Sequence, residues 1–337
     1  MQTLERISIA EGTRAYAKLR SKVRAAGILD RSYSFYFVLI ALTFAGYFLS
    51  TGAIFKLESY PLLGLACLGF AFFSVQLGGL MHDSGHRAVF KSGRANDILG
   101  VLCGCSLAMV FDNWRSRHND HHAFPNEPGR DPDVEIPFIS VSRALHAEKP
   151  AFQRFFIHYQ AYYYYPLGAI VSFSNRLGSL SYFIRRRSRR DWPRLVAYLP
   201  AIAFLFVLPF AIFPLAKALF VFSLVHVLSG IYLANCFAPN HKGMDLIEDG
   251  DSMSFIEQQI VASRNVKGGV LTDIVLVGLN RQVEHHLFPS TPRNKLHLIR
   301  PFLEETCRDL GLKCVESGII ETNRAILHEL RLAVRGV

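Results

Sequence analysis

Four uncharged stretches in this 337-residue chain are each long enough to cross a bilayer, which takes about 20 apolar residues. They are Ser34–Thr51, Tyr60–Met81, Leu195–Ala216 and Ala218–Asn240. Lipid offers backbone N–H and C=O groups no partner, so such segments must be helical. Lys56 lies between the first two, and Phe213-Pro214 and Lys217 mark the turn between the last two. The pattern predicts an all-α integral-membrane protein with four transmembrane helices in two hairpins. Composition agrees: half the residues are hydrophobic, only 19% are charged and 12% are aromatic, which excludes a soluble enzyme and a disordered chain.

Two further apolar stretches behave differently. Ile98–Phe111 has 14 residues, too few to span, and reads as re-entrant or interfacial. Phe155–Asn175 is uncharged but carries His158 and the run Tyr162–Tyr165. Tyrosine favours the membrane–water boundary, so this stretch is expected in the interface.

Charge supports that topology. Residues 1–33 carry 7 Lys/Arg, residues 82–192 carry 15 and residues 237–337 carry 12. An even number of crossings puts all three segments on one side, which the positive-inside rule makes cytoplasmic, with both termini there. The net charge of +10 is then topological. The basic run Arg185–Arg190 reads as an anchor to anionic headgroups, and no nucleic-acid partner is expected. Residues 1–33 hold no secretory signal and are expected as a cytosolic segment; 34–300 form the membrane domain and 301–337 a cytosolic helical tail. The six cysteines, Cys67, Cys103, Cys105, Cys236, Cys307 and Cys314, form no CxxC pair and are expected reduced and packed.

Histidine is the informative residue. His82 and His86 follow the second span four residues apart, on one helical face. His118, His121 and His122 have i, i+3, i+4 spacing, and Gln282, His285 and His286 repeat those offsets. His241 ends the fourth span. Eight of thirteen histidines thus fall at four places, all on the predicted cytoplasmic side. So many neutral nitrogen ligands exceed one ion's coordination and suit two, with positions left for water or oxygen. No thiolate accompanies them, which argues against an iron–sulfur cluster or structural zinc. Non-haem iron fits best, although zinc satisfies the same ligand chemistry. Asp83, Asp120 and Glu284 are placed to hold imidazole N–H groups from outside. His226 lies mid-span, where it would either be satisfied by buried partners or line a substrate tunnel.

The motifs HDSGH, HNDHH and QVEHH resemble the three histidine boxes of the integral-membrane fatty-acid desaturases. The Gln-initiated third box is similar to that of front-end and related acyl-lipid members. HNDHHAFPNEPGRDPDVEIP, NCFAPNHKGM and NRQVEHHLFPSTPRNKL are also similar, particularly to bacterial linoleoyl-CoA or Δ6-desaturase-like members, over roughly residues 34–300. The resemblance implies four transmembrane helices under a cytosolic cap holding a di-iron centre. His82, His86, His118, His121, His122, His285 and His286 would be box ligands, and His241 the ligand outside the boxes. Gln282 stands where an acyl-CoA Δ9 branch has His, so it would ligate weakly or orient a water.

Removing two hydrogens from an unactivated methylene pair is beyond any side-chain acid or base. The expected reaction is O2-dependent desaturation of an acyl chain carried on CoA, acyl carrier protein or a phospholipid. A membrane di-iron hydroxylase or ketolase is the alternative, and a metal transporter a remoter one. Nothing resembles a Rossmann glycine motif, a Cys-ligated cluster or a fused cytochrome b5, so a separate electron donor is expected, a ferredoxin with its reductase. Membrane lipids are the other partner, and a bacterial inner membrane the expected location.

Overall fold

The computed structural model describes residues 7–186, 192–248 and 251–335. In chain order the helices are α1 (Ile9–Ala25), α2 (Tyr33–Lys56), α3 (Tyr60–Gly85), α4 (Gly93–Leu107), α5 (Phe111–Ala123), α6 (Arg143–Glu148), α7 (Ala151–Ile157) and α8 (Gln160–Arg186). They continue as α9 (Trp192–Ile202), α10 (Leu208–Ile212), α11 (Leu215–His241), α12 (Phe255–Val261), α13 (Val270–Val275), α14 (Gln282–Leu287), α15 (Arg300–Asp309) and α16 (Ile319–Leu332). A π-helical turn, Ala203–Val207, joins α9 to α10. Two-residue strands β1 (Asn265–Val266) and β2 (Glu316–Ser317) make one parallel pair.

Among the described residues, four helices are long and apolar enough to cross a membrane: Tyr33–Lys56, Tyr60–Gly85, Leu195–Ile212 and Leu215–His241. They coincide with the four expected spans. α8 is not one of them. Of the basic run Arg185–Arg190, residues 187–190 lie outside the described residues.

The chain divides into two compact units. An apolar unit comprises Arg31–Ser116 and Tyr165–Asn235; a polar unit comprises Met1–Asp30, Arg117–Tyr164 and Cys236–Val337. Three of the four boundaries fall inside α5, α8 and α11; His82 and His86 belong to the apolar unit and the other six clustered histidines to the polar one.

In the apolar unit, α2 and α3 pack around Tyr47, Leu63, Phe70 and Leu77. Leucines and phenylalanines on the opposite faces stay bare, such as Phe37 at 76% and Leu49 at 74% exposure. Faces of this kind suit lipid rather than water. α8 approaches α11 where Gly230 meets the backbone of Gly168 and Ala169; a Cβ there would lie 2.6 Å from the Gly168 carbonyl oxygen. Small residues permit this contact, which in lipid substitutes for a hydrophobic driving force.

The short stretch around residues 98–111 is an elbow. α4 and α5 meet at 108°, with Ala108 left-handed at φ 55°. The freed backbone groups are taken up by side chains. Tyr47 donates to the Ser106 carbonyl at 2.7 Å and Arg176 Nε to that of Leu107 at 3.1 Å. Ser179 Oγ accepts from the Val110 N–H at 3.0 Å and the Tyr198 hydroxyl from that of Phe111 at 3.2 Å. Irregular backbone is tolerated in an apolar layer only when satisfied like this. Arg176 also donates to His226 Nδ1 at 3.1 Å, and His226 Nε2 donates to the Leu205 carbonyl at 3.3 Å. That carbonyl is available because Pro209, four residues on, has no N–H to give it. His226 is therefore satisfied on both nitrogens by protein groups.

The polar unit has its own core. α1 buries Leu19 and Val23, one helical turn apart, against Ile256 and Ile260 of α12 and Val283 and Leu287 of α14. Tyr16 donates to the Leu287 carbonyl at 2.8 Å. Cys307 and Cys314, expected reduced, are paired as a disulfide in this unit, whereas Cys67, Cys103, Cys105 and Cys236 are thiols, as expected.

Candidate metal centre

The polar unit gathers six histidines from three helices. α5 presents His118, His121 and His122 on one face: the ring centroids of His118 and His122 are 4.7 Å apart. α11 ends on His241, and the single-turn α14 carries Gln282, His285 and His286. Asn265 of β1 fixes α14 in place: its Oδ1 accepts the Val283 N–H at 3.0 Å and its Nδ2 donates to Glu284 at 2.6 Å.

Ring nitrogens of His121, His241 and His286 lie within 4.8 Å of one another, and all three residues are buried. His121 Nε2 is 3.3 Å from His241 Nε2. Beside this group, His122 Nε2 is 3.1 Å from His285 Nε2. Metal–nitrogen bonds of about 2.1 Å set neighbouring ligand nitrogens roughly 3.0–3.4 Å apart, so both separations match edges of a coordination polyhedron.

Hydrogen bonding decides where the protons sit. His121 Nδ1 is 3.0 Å from Asp131 Oδ2, His241 Nδ1 is 2.9 Å from the Ala262 carbonyl, and His286 Nδ1 is 2.7 Å from Gln259 Oε1. All three partners are acceptors, so each Nδ1 carries the hydrogen and each Nε2 keeps a lone pair. The ring nitrogens opposite those bonds gather at one buried place, where their lone pairs could be offered to a cation. The donor set fits a metal ion bound through neutral imidazoles.

Burial pushes the His121 pKa down, but the hydrogen bond and charge of Asp131, with Asp133 behind it, outweigh burial and raise it. Burial would raise Asp131, yet the bond to His121 and the N–H groups of Asp133 and Asn126 hold it below the usual carboxylate range. Asp131 thus stays ionised and orients the ring.

Gln282 is buried in this group. Its amide nitrogen lies 2.8 Å from His241 Nε2, and its Oε1 has no hydrogen-bond partner. A half-turn of the amide would bring the oxygen to the same point, beside His241 Nε2. The three carboxylates singled out in the motifs diverge. Asp83 stands 3.3 Å from His82 Nδ1 and accepts from Tyr36 at 2.8 Å. Asp120 is exposed on α5. Glu284 is fully buried but turns to Asn265 and, at 3.7 Å, to Arg300; burial raises its pKa. In the apolar unit, α3 ends at Gly85 with His86 as its cap, and the His82 and His86 rings are 4.7 Å apart.

Asp131, Gln259 and the Ala262 carbonyl were not legible as site groups. The Asp131-Pro132-Asp133 sequence reads as a turn, and Asp131 Oδ1 does accept the Asp133 N–H at 2.9 Å, but nothing local points it at His121.

Comparison with known proteins fits this geometry. The chain is 31% identical to an acyl-lipid 8-desaturase of Rebecca salina, over 90% of this chain and 69% of that protein. It is 28% identical to a Δ(8)-fatty-acid desaturase of Euglena gracilis, over 90% and 75%. It is 30% identical to an acyl-lipid (9-3)-desaturase of Physcomitrium patens, over 90% and 59%. Residues 58–318, which include all four histidine positions, match the fatty acid desaturase family, and to that family of membrane proteins the chain belongs.

Proposed function

We propose that this protein is an O2-dependent di-iron desaturase that introduces a cis double bond into a fatty acyl chain of a membrane lipid. The observation that carries the reading is the convergence of three Nε2 lone pairs with every opposing Nδ1–H fixed by a buried acceptor. One ion would be held by His121, His241 and His286, with Gln282 as a weak fourth ligand or a guide for water. The second would draw on the remaining box histidines, as the resemblance of the three motifs to the desaturase boxes implies. Iron so bound supplies an oxidant able to take hydrogens from an unactivated methylene pair. The chain's own residues orient the imidazoles: Asp131, Gln259 and the Ala262 carbonyl hold the Nδ1 protons, and burial excludes water. Asp83 would hold His82, with Asp120 and Glu284 outside the ligand shell.

The relatives' names, 8- and Δ(8)-desaturase, favour a lipid-linked substrate and a double bond toward the carboxyl side of the chain. Electrons would come from a separate ferredoxin-type protein. The proposed cytoplasmic segments, residues 1–33, 82–192 and 237–337, hold 34 Lys/Arg against 26 Asp/Glu, which would steer an acidic donor. Both termini would lie on that side, in a bacterial inner membrane. Cysteines introduced at Ser142 and Ser188 should then react from the same face, and labelling from opposite faces would refute the topology.

The test of activity is expression in a host without desaturases, with fatty acids read by mass spectrometry after double-bond derivatisation. One new monounsaturation per acyl chain supports the reading. A hydroxy or keto product would replace it with oxygenation at the same centre.

A further inference from the structure

Gln259 contributes no ligand atom, belongs to no histidine motif, and is fully buried. It sits on α12, whose Ile256 and Ile260 are locked into the core formed with α1 and α14. Its Oε1 accepts from His286 Nδ1 at 2.7 Å, and its Nε2 donates to the His122 carbonyl at 3.3 Å. That carbonyl lies in the last turn of α5, where helical carbonyls lack partners. One amide therefore spans two of the histidine motifs. It fixes the tautomer of a ring in the third and the backbone end of the helix bearing the second. Because each half of the amide has a single chemical sense, donor or acceptor, the two bonds define its orientation.

We infer that Gln259 is a positioning residue that sets the separation of α5 from α14 and holds His286 in the Nδ1–H tautomer, with Nε2 as the ligand atom; this rests on the metal reading above. Acceptor and donor functions are separable by substitution. Gln259→Glu keeps an acceptor for His286 but cannot donate to the His122 carbonyl. Gln259→Met fills the same space and does neither. Gln258→Met alters the adjacent glutamine, whose side chain makes no hydrogen bond among the described residues, and serves as the control for disturbance of α12.

The experiment uses purified full-length protein. It measures metal per chain, the half-time of metal loss to a chelator, and kcat and KM for an acyl substrate. Partners of this kind typically influence metal affinity or activity by about 10–100-fold. Gln259→Met should lose metal about 10-fold faster or more, with kcat falling and KM unchanged. Gln259→Glu should fall between Gln259→Met and wild type, and Gln258→Met should match wild type. Wild-type metal retention and kcat in Gln259→Met would overturn the inference. So would equal impairment of Gln258→Met, which would mark a packing effect, or Gln259→Glu no better than Gln259→Met, which would remove the bond to His286. A wild-type protein that is active without metal would defeat the underlying reading before any variant is compared; one that holds zinc would defeat only the iron assignment and leave the chelator comparison valid.

Discussion

Two buried histidine environments, one in each unit, differ in a single respect. In the apolar unit His226 accepts from Arg176 at one nitrogen and donates to the Leu205 carbonyl at the other. In the polar unit His121, His241 and His286 also spend one nitrogen on a protein acceptor, but the remaining nitrogens face each other. Burial is similar in both places, so burial does not separate a structural imidazole from a ligand. The destination of the second lone pair does. His226 closes a backbone defect left by Pro209; the polar-unit rings instead bring their second nitrogens together, a grouping that could hold a metal ion.

The largest expected effect breaks this comparison directly. His121→Ala or His286→Ala should abolish desaturation and remove at least one metal ion per chain, whereas His226→Phe should leave metal content at the wild-type value. Elemental analysis beside an activity assay reads both. The His226 variant should instead lose roughly 1–2 kcal/mol of stability, the worth of two interhelical hydrogen bonds in an apolar layer, read as a lower melting temperature in detergent. Metal loss on changing His226 would erase the distinction.

Next in size is Asp131→Asn. The amide still accepts a hydrogen bond but carries no charge, so metal affinity or turnover should drop about 10–100-fold. Titration with a competing chelator measures it, and an unchanged affinity would mean that Asp131 only shapes its turn.

Gln282→Ala should lower turnover strongly with the fold intact, and Gln282→His should be better tolerated, because an imidazole nitrogen reaches the same focus. Near-normal turnover in the alanine variant would leave Gln282 a packing residue. The smallest effect belongs to the elbow: Tyr47→Phe, losing the bond to the Ser106 carbonyl, should cost about 0.6 kcal/mol and no metal. A shift in metal content there would contradict the separation of roles.

How far the sequence reached follows from the range of the interactions involved. The four spans were legible because lipid imposes one length and one secondary structure on an apolar run. The box histidines were legible because α5 and α14 bring i, i+3 and i+4 onto one face, a property of the local helix. His241 was legible as a histidine at the end of a span. Asp131, Gln259 and the Ala262 carbonyl lie 10, 27 and 21 residues from the rings they hold. They are joined to those rings by tertiary folding alone, so no spacing announces them. Of the carboxylates inside the motifs, Asp83 does reach the adjacent His82, but Asp120 faces outward beside His121 and Glu284 turns to Asn265 and Arg300, since neighbours on a helix mostly point apart. The elbow was visible as an apolar run too short to span, but not its bend or the residues that stitch it, since Arg176 sits 69 residues from the carbonyl it caps. The disulfide between Cys307 and Cys314 went unread because seven residues of spacing carry no pairing signal.

Metal should separate the polar unit's histidines from His226. Quantifying metals in purified wild type, His121→Ala and His226→Phe side by side tests it most directly. Close to two irons per chain are expected in the wild type and in His226→Phe, and at most one in His121→Ala. Equal metal content in all three, or an active wild type that holds none, would contradict it.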